Sequence, residues 1–258
     1  MSHKWDPRVR LSNPPNMEIN PKKSLGQNFL INAGILEKIV NAAELNKNDI
    51  VLEIGPGTGN LTKFISEKSG QVVVVEKDYR LIESLQIKFP DIKIIEEDAL
   101  KFKPEEHDLK ENDYKIVANI PYYLTSNLLR IIFEKWPKPK LIVLTIQKEV
   151  AQRIVAGPPD MNLLALSIQL YSEPEIISYV SRGSFRPMPK VDSAIIKLVP
   201  KNGIDIKNNE KIISIAKKAF SGKRKQLQNT LPEINFESLG INPKSRPEEL
   251  EVSDWLRM

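Results

Sequence analysis

The chain has 258 residues, of which 41% are hydrophobic and 28% charged, and this length suits one large domain or two. It has no cysteine and only two histidines, which excludes disulfides and thiolate metal sites, so we expect no bound metal. No apolar run is long enough to span a membrane, and the first residues lack the apolar segment of a signal peptide. We therefore expect a soluble, cytoplasmic protein with no membrane partner.

The net charge of +5 is distributed unevenly along the chain. Residues 1–24 carry a net charge of +3, residues 25–180 carry −4, and residues 181–258 carry +6. Basic ends around an acidic central part suit a polyanionic substrate. Charge runs are also common on solvated surfaces, so the charge pattern alone leaves both interpretations open.

The N-terminal part divides into a tail and a short segment before the first helix. Residues 1–21 are proline-rich and lack periodicity, which predicts a flexible basic tail. Residues 23–30 place the amides of Gln27 and Asn28 where they can hold a polar ligand at a pocket mouth. The same segment can instead be a hydrophobic staple for the next helix, whose predicted N-cap is Asn32.

A glycine-rich stretch at residues 51–59 reads Val-Leu-Glu-Ile-Gly-Pro-Gly-Thr-Gly. This pattern predicts a buried strand that breaks into a tight turn, where bare backbone lets a ligand approach closely. A helix capped by Asn60 and ended by Gly70 is expected next, which makes the start of a nucleotide-binding α/β unit. The candidate cofactor-binding residues of this stretch are Glu53, Gly55 and Gly57.

Acidic residues follow the next two predicted strands. The first of these strands ends in Glu76, which can accept hydrogen bonds from ribose hydroxyls, although a surface acid after a strand is the alternative. The second, at 92–95, is followed by three acids at 96–98. We expect Asp98 to accept a hydrogen bond from an adenine amino group, with Ala99 as apolar cover for the ring, and the other two acids to be solvated.

The fourth predicted strand is followed by Asn-Ile-Pro-Tyr at residues 119–122. An exocyclic amine is a poor nucleophile while its lone pair is delocalised into the ring. The side-chain oxygen of Asn119 and a backbone carbonyl of Ile120 or Pro121 can accept both amine hydrogens and localise that lone pair. Pro121 fixes the turn, and Tyr122 can stack on a base drawn out of its helix. An ordinary strand exit is the alternative, but the position one strand after the acids favours catalysis.

Further elements are predicted after this tetrad: a helix capped by Thr125 or Ser126, a strand at 141–146, a helix at 148–156, a helix or strand at 163–170, and strands at 175–180 and 194–199. The loop between the last two strands contains Phe185, which can form the other wall of a base pocket. Its basic residues can contact backbone phosphates, although a solvated hairpin is the alternative: Arg182, Arg186 and Lys190.

From residue 203 the pattern becomes helical and basic. Five basic side chains cluster near the end of the first helix of this part: Lys217, Lys218, Lys223, Arg224 and Lys225. Phosphate contact is their expected use, and it would make nucleic-acid binding dependent on salt.

Five ordered motifs closely resemble the ribosomal RNA adenine dimethyltransferases, and in particular the small-subunit branch: residues 25–30, 53–59, Glu76 with Asp98, 119–122 and 185–193. The resemblance covers about residues 22–258. It implies an α/β fold with a seven-stranded Rossmann-like methyltransferase sheet, mostly parallel with the last strand antiparallel, and a small C-terminal helical domain. The implied division of the chain is the tail at 1–21, the S-adenosylmethionine-dependent methyltransferase domain at 22–202 and the helical RNA-binding domain at 203–258.

The resemblance also implies site residues. The cofactor S-adenosylmethionine would be held by Asn28, Leu30, Gly55, Glu76, Asp98 and Asn119. The target adenine would be held by Asn119 and Tyr122 with Phe185 nearby. At 163–167 the chain reads Leu-Leu-Ala-Leu-Ser where relatives commonly carry Tyr-Gly-Arg-Leu-Ser, so one arginine and one glycine are absent.

The implied activity is dimethylation at N6 of two adjacent adenosines near the 3′ end of small-subunit rRNA, on the RNA or an immature small ribosomal subunit, by a monomeric enzyme. One alternative is a large-subunit rRNA adenine methyltransferase of the antibiotic-resistance type, which the basic helical end disfavours. A DNA adenine methyltransferase is disfavoured because no sequence-reading module is visible. The alternative of another class is a non-catalytic RNA-binding assembly factor, which the intact tetrad disfavours.

Overall fold

The computed structural model describes residues 21–22, 25–222 and 224–258. Most of the predicted basic tail, and Lys223, lie outside the described residues. Among the helices that are described, none is both long and apolar enough to cross a membrane.

The strands of the described residues are β1 (Phe29–Leu30), β2 (Ile50–Ile54), β3 (Gln71–Glu76), β4 (Lys93–Glu96), β5 (Tyr114–Asn119), β6 (Leu141–Gln147), β7 (Ser172–Val180), β8 (Phe185–Arg186) and β9 (Ser193–Pro200). Seven of them form one sheet in the spatial order β4-β3-β2-β5-β6-β9-β7. The neighbours from β4 to β6 pair in parallel, whereas β9 runs antiparallel to both β6 and β7. The predicted mostly parallel sheet with an antiparallel last strand is confirmed.

The helices are α1 (Ala33–Ala42), α2 (Asn60–Lys68), α3 (Tyr79–Lys88), α4 (Thr125–Glu134), α5 (Lys148–Ile154), α6 (Leu163–Gln169), α7 (Ile206–Ser221), α8 (Leu227–Thr230) and α9 (Val252–Trp255). Successive strand residues point to opposite faces of the sheet, so each strand contributes to two cores. The core under α1 and α2 includes Val72 and Val74, and the core under α4 to α7 includes Val73 and Val75. The apolar run of β3 is continuous because both of its faces are covered.

Two predicted helix caps are wrong. Gly59, at φ 85°, precedes α2, and Asn60 is the first helical residue, whose Nδ2 donates to the carbonyl of Leu30 at 2.8 Å. Neither Thr125 nor Ser126 caps α4, because the 3-10 turn Tyr122–Leu124 runs directly into that helix. The predicted cap of α1 is confirmed, since Asn32 Oδ1 accepts the backbone N–H of Ile35. The open choice at 163–170 resolves to a helix, α6.

The loop between β7 and β9 contains structure that its composition does not indicate. Residues Arg182–Ser184 form a 3-10 turn, and β8 pairs antiparallel with β1, with Phe185 opposite Leu30. Phe185 is fully buried, so a solvated hairpin does not describe this loop.

The C-terminal helices pack against the rest of the fold. Side chains of α7, α8 and α9 belong to the same hydrophobic cluster as the sheet residues on that face, among them Ile212, Leu227 and Trp255. The division of the chain into domains at residue 203 stays a prediction.

Candidate active site

The carboxyl ends of four parallel strands, β2 to β5, meet at one edge of the sheet and border a cleft. The cleft holds about 760 Å³ of empty space, part of it open to solvent. The sequence-predicted residues that line it are Gln27, Asn28, Gly55, Gly57, Glu76, Asp98, Ala99, Asn119, Pro121, Tyr122 and Phe185. The fold thus brings these residues together, while their individual roles stay predictions.

The glycine loop forms a wall of bare backbone. Gly55 and Gly57 have φ angles of 65° and 58°, which residues with a Cβ atom rarely adopt. A Cβ atom at Gly57 would lie 2.7 Å from Cδ1 of Phe29. The backbone N–H of Gly57 donates to Oε2 of Glu76 at 3.2 Å. Conformation and space therefore both require glycine at residue 57, whereas the hydrogen bond to Glu76 needs only a backbone N–H.

Glu76, at the end of β3, is a buried carboxyl and not a surface acid. Glu76 is 6% exposed, and its Oε1 accepts a hydrogen bond from the backbone N–H of Asp78 at 2.8 Å. Burial raises the pKa of Glu76, while the hydrogen bonds from Asp78 and Gly57 act in the opposite direction. Each oxygen keeps a free lone pair, so the carboxylate can still accept hydrogen bonds from hydroxyl groups of a ligand.

Asp98, after β4, is held from both sides. Its Oδ2 accepts from Lys77 Nζ at 2.8 Å, and its Oδ1 accepts the N–H of Leu100 at 3.0 Å. Burial alone would raise the pKa of Asp98, but these hydrogen bonds outweigh it and hold the pKa below its usual value. Of the two other acids, Glu96 is exposed, whereas Glu97 is half-buried and lines the open cleft.

The N-terminal strap, residues 25–31, lines the cleft with its first five residues. Gln27 is bound within the protein, since its Nε2 donates to Asp78 Oδ2 at 2.9 Å and its Oε1 accepts the N–H of Lys22 at 2.7 Å. Asn28 Nδ2 donates to the carbonyl of Gly26 at 3.1 Å. Both amides lie at the cleft as predicted, but their present hydrogen bonds shape the strap.

Asn119 connects the strap to the end of β5. Its Nδ2 donates to the backbone carbonyl of Asn28 at 3.2 Å. Among the described residues nothing donates to its Oδ1, so this oxygen is available as an acceptor at the cleft. Three residues on, the hydroxyl of Tyr122 lies 2.6 Å from Oγ of Ser193. Burial raises the pKa of Tyr122, so its hydroxyl stays protonated at neutral pH.

A smaller cavity lies beside the cleft and contains two other predicted cofactor residues. Leu30 and Glu53 line it, and it shares Phe29, Gly55 and Asn119 with the main cleft. Glu53 is 1% exposed, and its Oε2 has no hydrogen-bond partner among the described residues. Burial raises the pKa of Glu53 to about 8; the side chain of Thr62 acts in the opposite direction, and the nearby Glu76 adds to the rise.

Comparison with known proteins shows which family the chain belongs to. The family model described as ribosomal RNA adenine dimethylase matches residues 19–258. The chain belongs to this family. The family and enzyme class predicted from the motifs are therefore confirmed. Within the dimethylase family, the ribosomal RNA small subunit methyltransferase A of Dehalococcoides mccartyi is 40% identical over 255 residues, which cover 93% of this chain and 88% of that protein.

Two solved structures of similar proteins support the same assignment. A dimethyladenosine transferase from Plasmodium falciparum superposes with a TM-score of 0.78 at 30% identity, covering 89% of this chain and 95% of that one. The 23S rRNA methyltransferase ErmE superposes with a TM-score of 0.75 at 27% identity, covering 89% and 97%.

The basic residues predicted to contact RNA in this dimethylase lie in two places. Arg182, Arg186 and Lys190 are exposed on the loop that carries the buried Phe185. The guanidinium of Arg186 donates to the carbonyl of Phe185 at 3.0 Å. The second group is also exposed, at the end of α7 and just after it: Lys217, Lys218, Arg224 and Lys225. Lys218 Nζ lies 3.6 Å from a carboxylate oxygen of Glu233. These RNA-binding roles stay predictions.

Two cleft residues of the dimethylase were missed in the sequence. Lys77 lines the cleft and pairs with Asp98, and Tyr123, 56% exposed, lines it beside Gly26. Each directly follows a predicted site residue, Glu76 or Tyr122, so chain position is the signal that could have found them. Neither belongs to a recognisable motif of its own.

Proposed function

We propose that this dimethylase transfers methyl groups from S-adenosylmethionine to N6 of two adjacent adenosines near the 3′ end of small-subunit rRNA during ribosome biogenesis. The observation that carries the proposal is a single cleft lined both by the acids that end β3 and follow β4 and by residues 119–122. The small-subunit relative is more similar to the chain than the 23S enzyme is, which favours the small subunit as substrate. Because the residues proposed to bind the cofactor and the adenine all lie in one chain, we also propose that the enzyme acts as a monomer. Its proposed substrate is an immature small subunit.

The residues of the cleft fit S-adenosylmethionine. Glycine backbone at Gly55 and Gly57 leaves no side chain between β2 and a ligand, and a Cβ atom at Gly57 would press against the ring of Phe29, which also lines the cleft. Glu76 would accept from ribose hydroxyls, and Asp98 with Ala99 would receive the adenine. Bound in this way, the cofactor supplies an electrophilic methyl group on a sulfonium.

Asn119 would activate the target amine. With its Nδ2 bound to the carbonyl of Asn28, its Oδ1 is the atom presented to a substrate. This oxygen and the backbone carbonyl of Ile120 or Pro121 would accept the two N6 hydrogens, drawing the nitrogen toward a tetrahedral shape with a localised lone pair. The amine proton would leave to water after transfer, so no histidine or lysine base is needed.

Tyr122 and Phe185 would hold the target adenine by their rings. The hydroxyl of Tyr122 is bound to Ser193 and stays protonated, so its ring is fixed and carries no charge. An aromatic face in this position suits stacking on a flipped base. Phe185, buried at the cleft on β8, would support the opposite side.

A methyl-transfer assay tests the proposed function. Purified protein with labelled S-adenosylmethionine should place two methyl groups on each of two adenosines in small subunits from cells that lack this modification. Labelling of large-subunit RNA alone would support the antibiotic-resistance type of enzyme, and absence of label from both would support an assembly factor. Either result would refute the proposal.

A variant of Asn119 tests the assigned chemistry. Asn119→Ala should lower the rate of transfer by about 10²–10³-fold, as expected for loss of a transition-state hydrogen bond, while RNA binding is retained. Asn41→Ala, at an exposed position of α1, is the matched control and should transfer normally. Equal loss of transfer and RNA binding in Asn119→Ala would contradict the assigned role.

A further inference from the structure

A buried carboxylate beside the cleft, that of Asp78, has no part in the reaction as proposed so far. Asp78 lies two residues after Glu76, and 0% of its side chain is exposed. In the described part of the chain, it is not among the residues that line the cleft. A buried charge is costly unless it is paired and hydrogen-bonded, so the partners of this carboxylate show what it does.

Capping of a helix accounts for little of this arrangement. Asp78 is the N-cap of α3, and its Oδ1 accepts the backbone N–H of Arg80, but this bond is long at 3.4 Å. Asp205, the N-cap of α7, accepts the backbone N–H of Asn208 at 3.0 Å and is exposed. A helix cap therefore needs neither the burial of Asp78 nor its other partners.

The short hydrogen bonds of Asp78 come from the side chains of Arg80 and Gln27. Oδ1 accepts from Nε of Arg80 at 2.9 Å, and Oδ2 accepts from Nη2 of the same guanidinium at 2.6 Å. Oδ2 also accepts from Nε2 of Gln27 at 2.9 Å. The bonds from Arg80 lower the pKa of Asp78 to about 2 against the opposing effect of burial, and the bond from Gln27 also lowers it. The carboxylate is therefore charged at neutral pH and binds the strap through Gln27.

The strap is fastened on both sides of Asn28. On the C-terminal side, Leu30 pairs with β8, and its carbonyl accepts from Nδ2 of Asn60 at 2.8 Å. On the N-terminal side, the bond from Gln27 connects the strap to Asp78. Among the described residues, the other hydrogen bonds of residues 25–27 stay within residues 22–28. The position of Asn28 therefore depends on the bond between Gln27 and Asp78.

The carbonyl of Asn28 orients the side chain of Asn119. It accepts from Nδ2 of Asn119 at 3.2 Å, and Oδ1 is thereby presented to the target amine. This distance lies at the upper limit of ordinary N–H···O bonds, so a small outward movement of the strap would break the bond. The amide would then be free to rotate and to present its nitrogen, which cannot accept the amine hydrogens.

We propose that Asp78 is a positioning residue of the methyl-transfer reaction, because its carboxylate holds Gln27 and the strap held in this way orients Asn119. The inference rests on the proposed function, which gives Asn119 its role. Asp78 acts through Gln27 and Asn28, not by contact with the cofactor or the target base. Its backbone N–H donates to Oε1 of Glu76 at 2.8 Å, and this bond needs no side chain. Substitution of Asp78 therefore releases the strap and leaves the N–H for the proposed ribose acid in place.

Asp78→Ala tests this role, and Asp205→Ala is the matched control because it also removes an aspartate N-cap. Rates are measured at saturating cofactor and small subunits, per folded protein as determined by circular dichroism. Free rotation of the amide alone would lower kcat about twofold, and loss of its oxygen about 10²–10³-fold. A misplaced amide lies between these limits, so Asp78→Ala should lower kcat about tenfold. Asp205→Ala should keep the wild-type kcat, and an unchanged kcat in Asp78→Ala would overturn the proposal.

Gln27→Met removes the same hydrogen bond and leaves the pair of Asp78 and Arg80 intact. Methionine has a similar length and no N–H donor, so this variant should lower kcat about as much as Asp78→Ala. The double variant should lower kcat no further, because both substitutions remove one bond. Multiplied losses in the double variant would overturn the proposal. Asp78→Asn keeps an acceptor for Gln27 and should lose less kcat than Asp78→Ala, and equal losses would count against the hydrogen bond as the cause.

Amide hydrogen exchange of the free protein tests the strap without any reaction. The backbone N–H groups of residues 25–31 should exchange several-fold faster in Asp78→Ala and Gln27→Met than in wild type, and at the wild-type rate in Asp205→Ala. Unchanged exchange in the first two variants would overturn the proposal. Wild-type protein that transfers no methyl group would refute the proposed function, whereas the exchange rates would still decide whether Asp78 holds the strap.

Discussion

Glu53 gives the protein a dependence of stability on pH that can be calculated from its position. The residue lies in β2 with 1% exposure and an unpartnered Oε2, and burial raises its pKa from the ordinary value of 4.5 to about 8. At neutral pH the folded chain therefore keeps this carboxyl protonated. The unfolded chain ionises it.

The sign of the effect follows from this difference in proton binding. Well below pH 4.5 the group is protonated in both states, so its ionisation does not change the free energy of unfolding. Between pH 4.5 and 8 the folded state binds more protons, so the free energy of unfolding falls by up to about 1.4 kcal/mol per pH unit. The accumulated loss is about 3 kcal/mol at pH 7. Above pH 8 it no longer grows.

Substitution by a neutral residue of similar shape should remove this pH dependence. In urea unfolding, wild-type protein should lose about 3 kcal/mol more than Glu53→Gln between pH 5 and 7.5. The pH slope is the decisive quantity, since a buried amide with an unsatisfied polar atom carries its own cost of about 1–3 kcal/mol at every pH. Glu67→Gln, which changes an exposed carboxyl on α2, is the control and should keep the wild-type slope. If the free energies of unfolding of Glu53→Gln and wild type change with pH in parallel, the inference that Glu53 is protonated in the folded chain is refuted.

Two further substitutions test the glycine loop and a buried ion pair. Gly57→Ala should weaken binding of S-adenosylmethionine at least tenfold in calorimetric titration, because the new methyl group meets Phe29 at a positive φ angle, whereas Gly157→Ala, which meets nothing within 4 Å, should bind normally. Equal affinities would show that the loop can relax. Lys115→Met should lower the free energy of unfolding by about 3–5 kcal/mol, because Lys115 Nζ lies 3.0 Å from the buried Asp49 carboxylate and also donates to two carbonyls at the end of α1. Adding Asp49→Asn should recover part of that loss in urea unfolding, and an additive further loss would count against the pair.

The sheet and the gathering of site residues at one edge could be predicted from the sequence. Buried parallel strands need apolar residues on both faces, and the continuous apolar run from Val72 to Val75 is typical of such a strand. Parallel strands also carry their carboxyl ends to the same edge, so Glu76, Asp98 and Asn119 converge without any further information. Local pattern and strand direction together were sufficient for this part of the site.

The remaining features of the site depend on contacts between distant parts of the chain. The pairing of β1 with β8 joins Leu30 to Phe185 by strands of two residues each, too short to leave a periodic signal. Asn60 looks like a helix cap, but the strap supplies the carbonyl of Leu30, which its amide binds instead. No local rule predicts a hydrogen bond of this kind, since the partners are 30 residues apart.

The strap explains why the proposed catalytic amide of Asn119 needs more than its own motif. An asparagine side chain can present either its oxygen or its nitrogen, and only the oxygen of Asn119 can accept the amine hydrogens. The carbonyl of Asn28 fixes the orientation of this amide, because it accepts a hydrogen bond from Nδ2 and so leaves Oδ1 facing the cleft. Gln27, the preceding residue, is held by Asp78, whose own N–H donates to Glu76. One segment thus connects the acid proposed to bind the ribose with the oxygen proposed to bind the target amine, so movement of the strap would change both sites together.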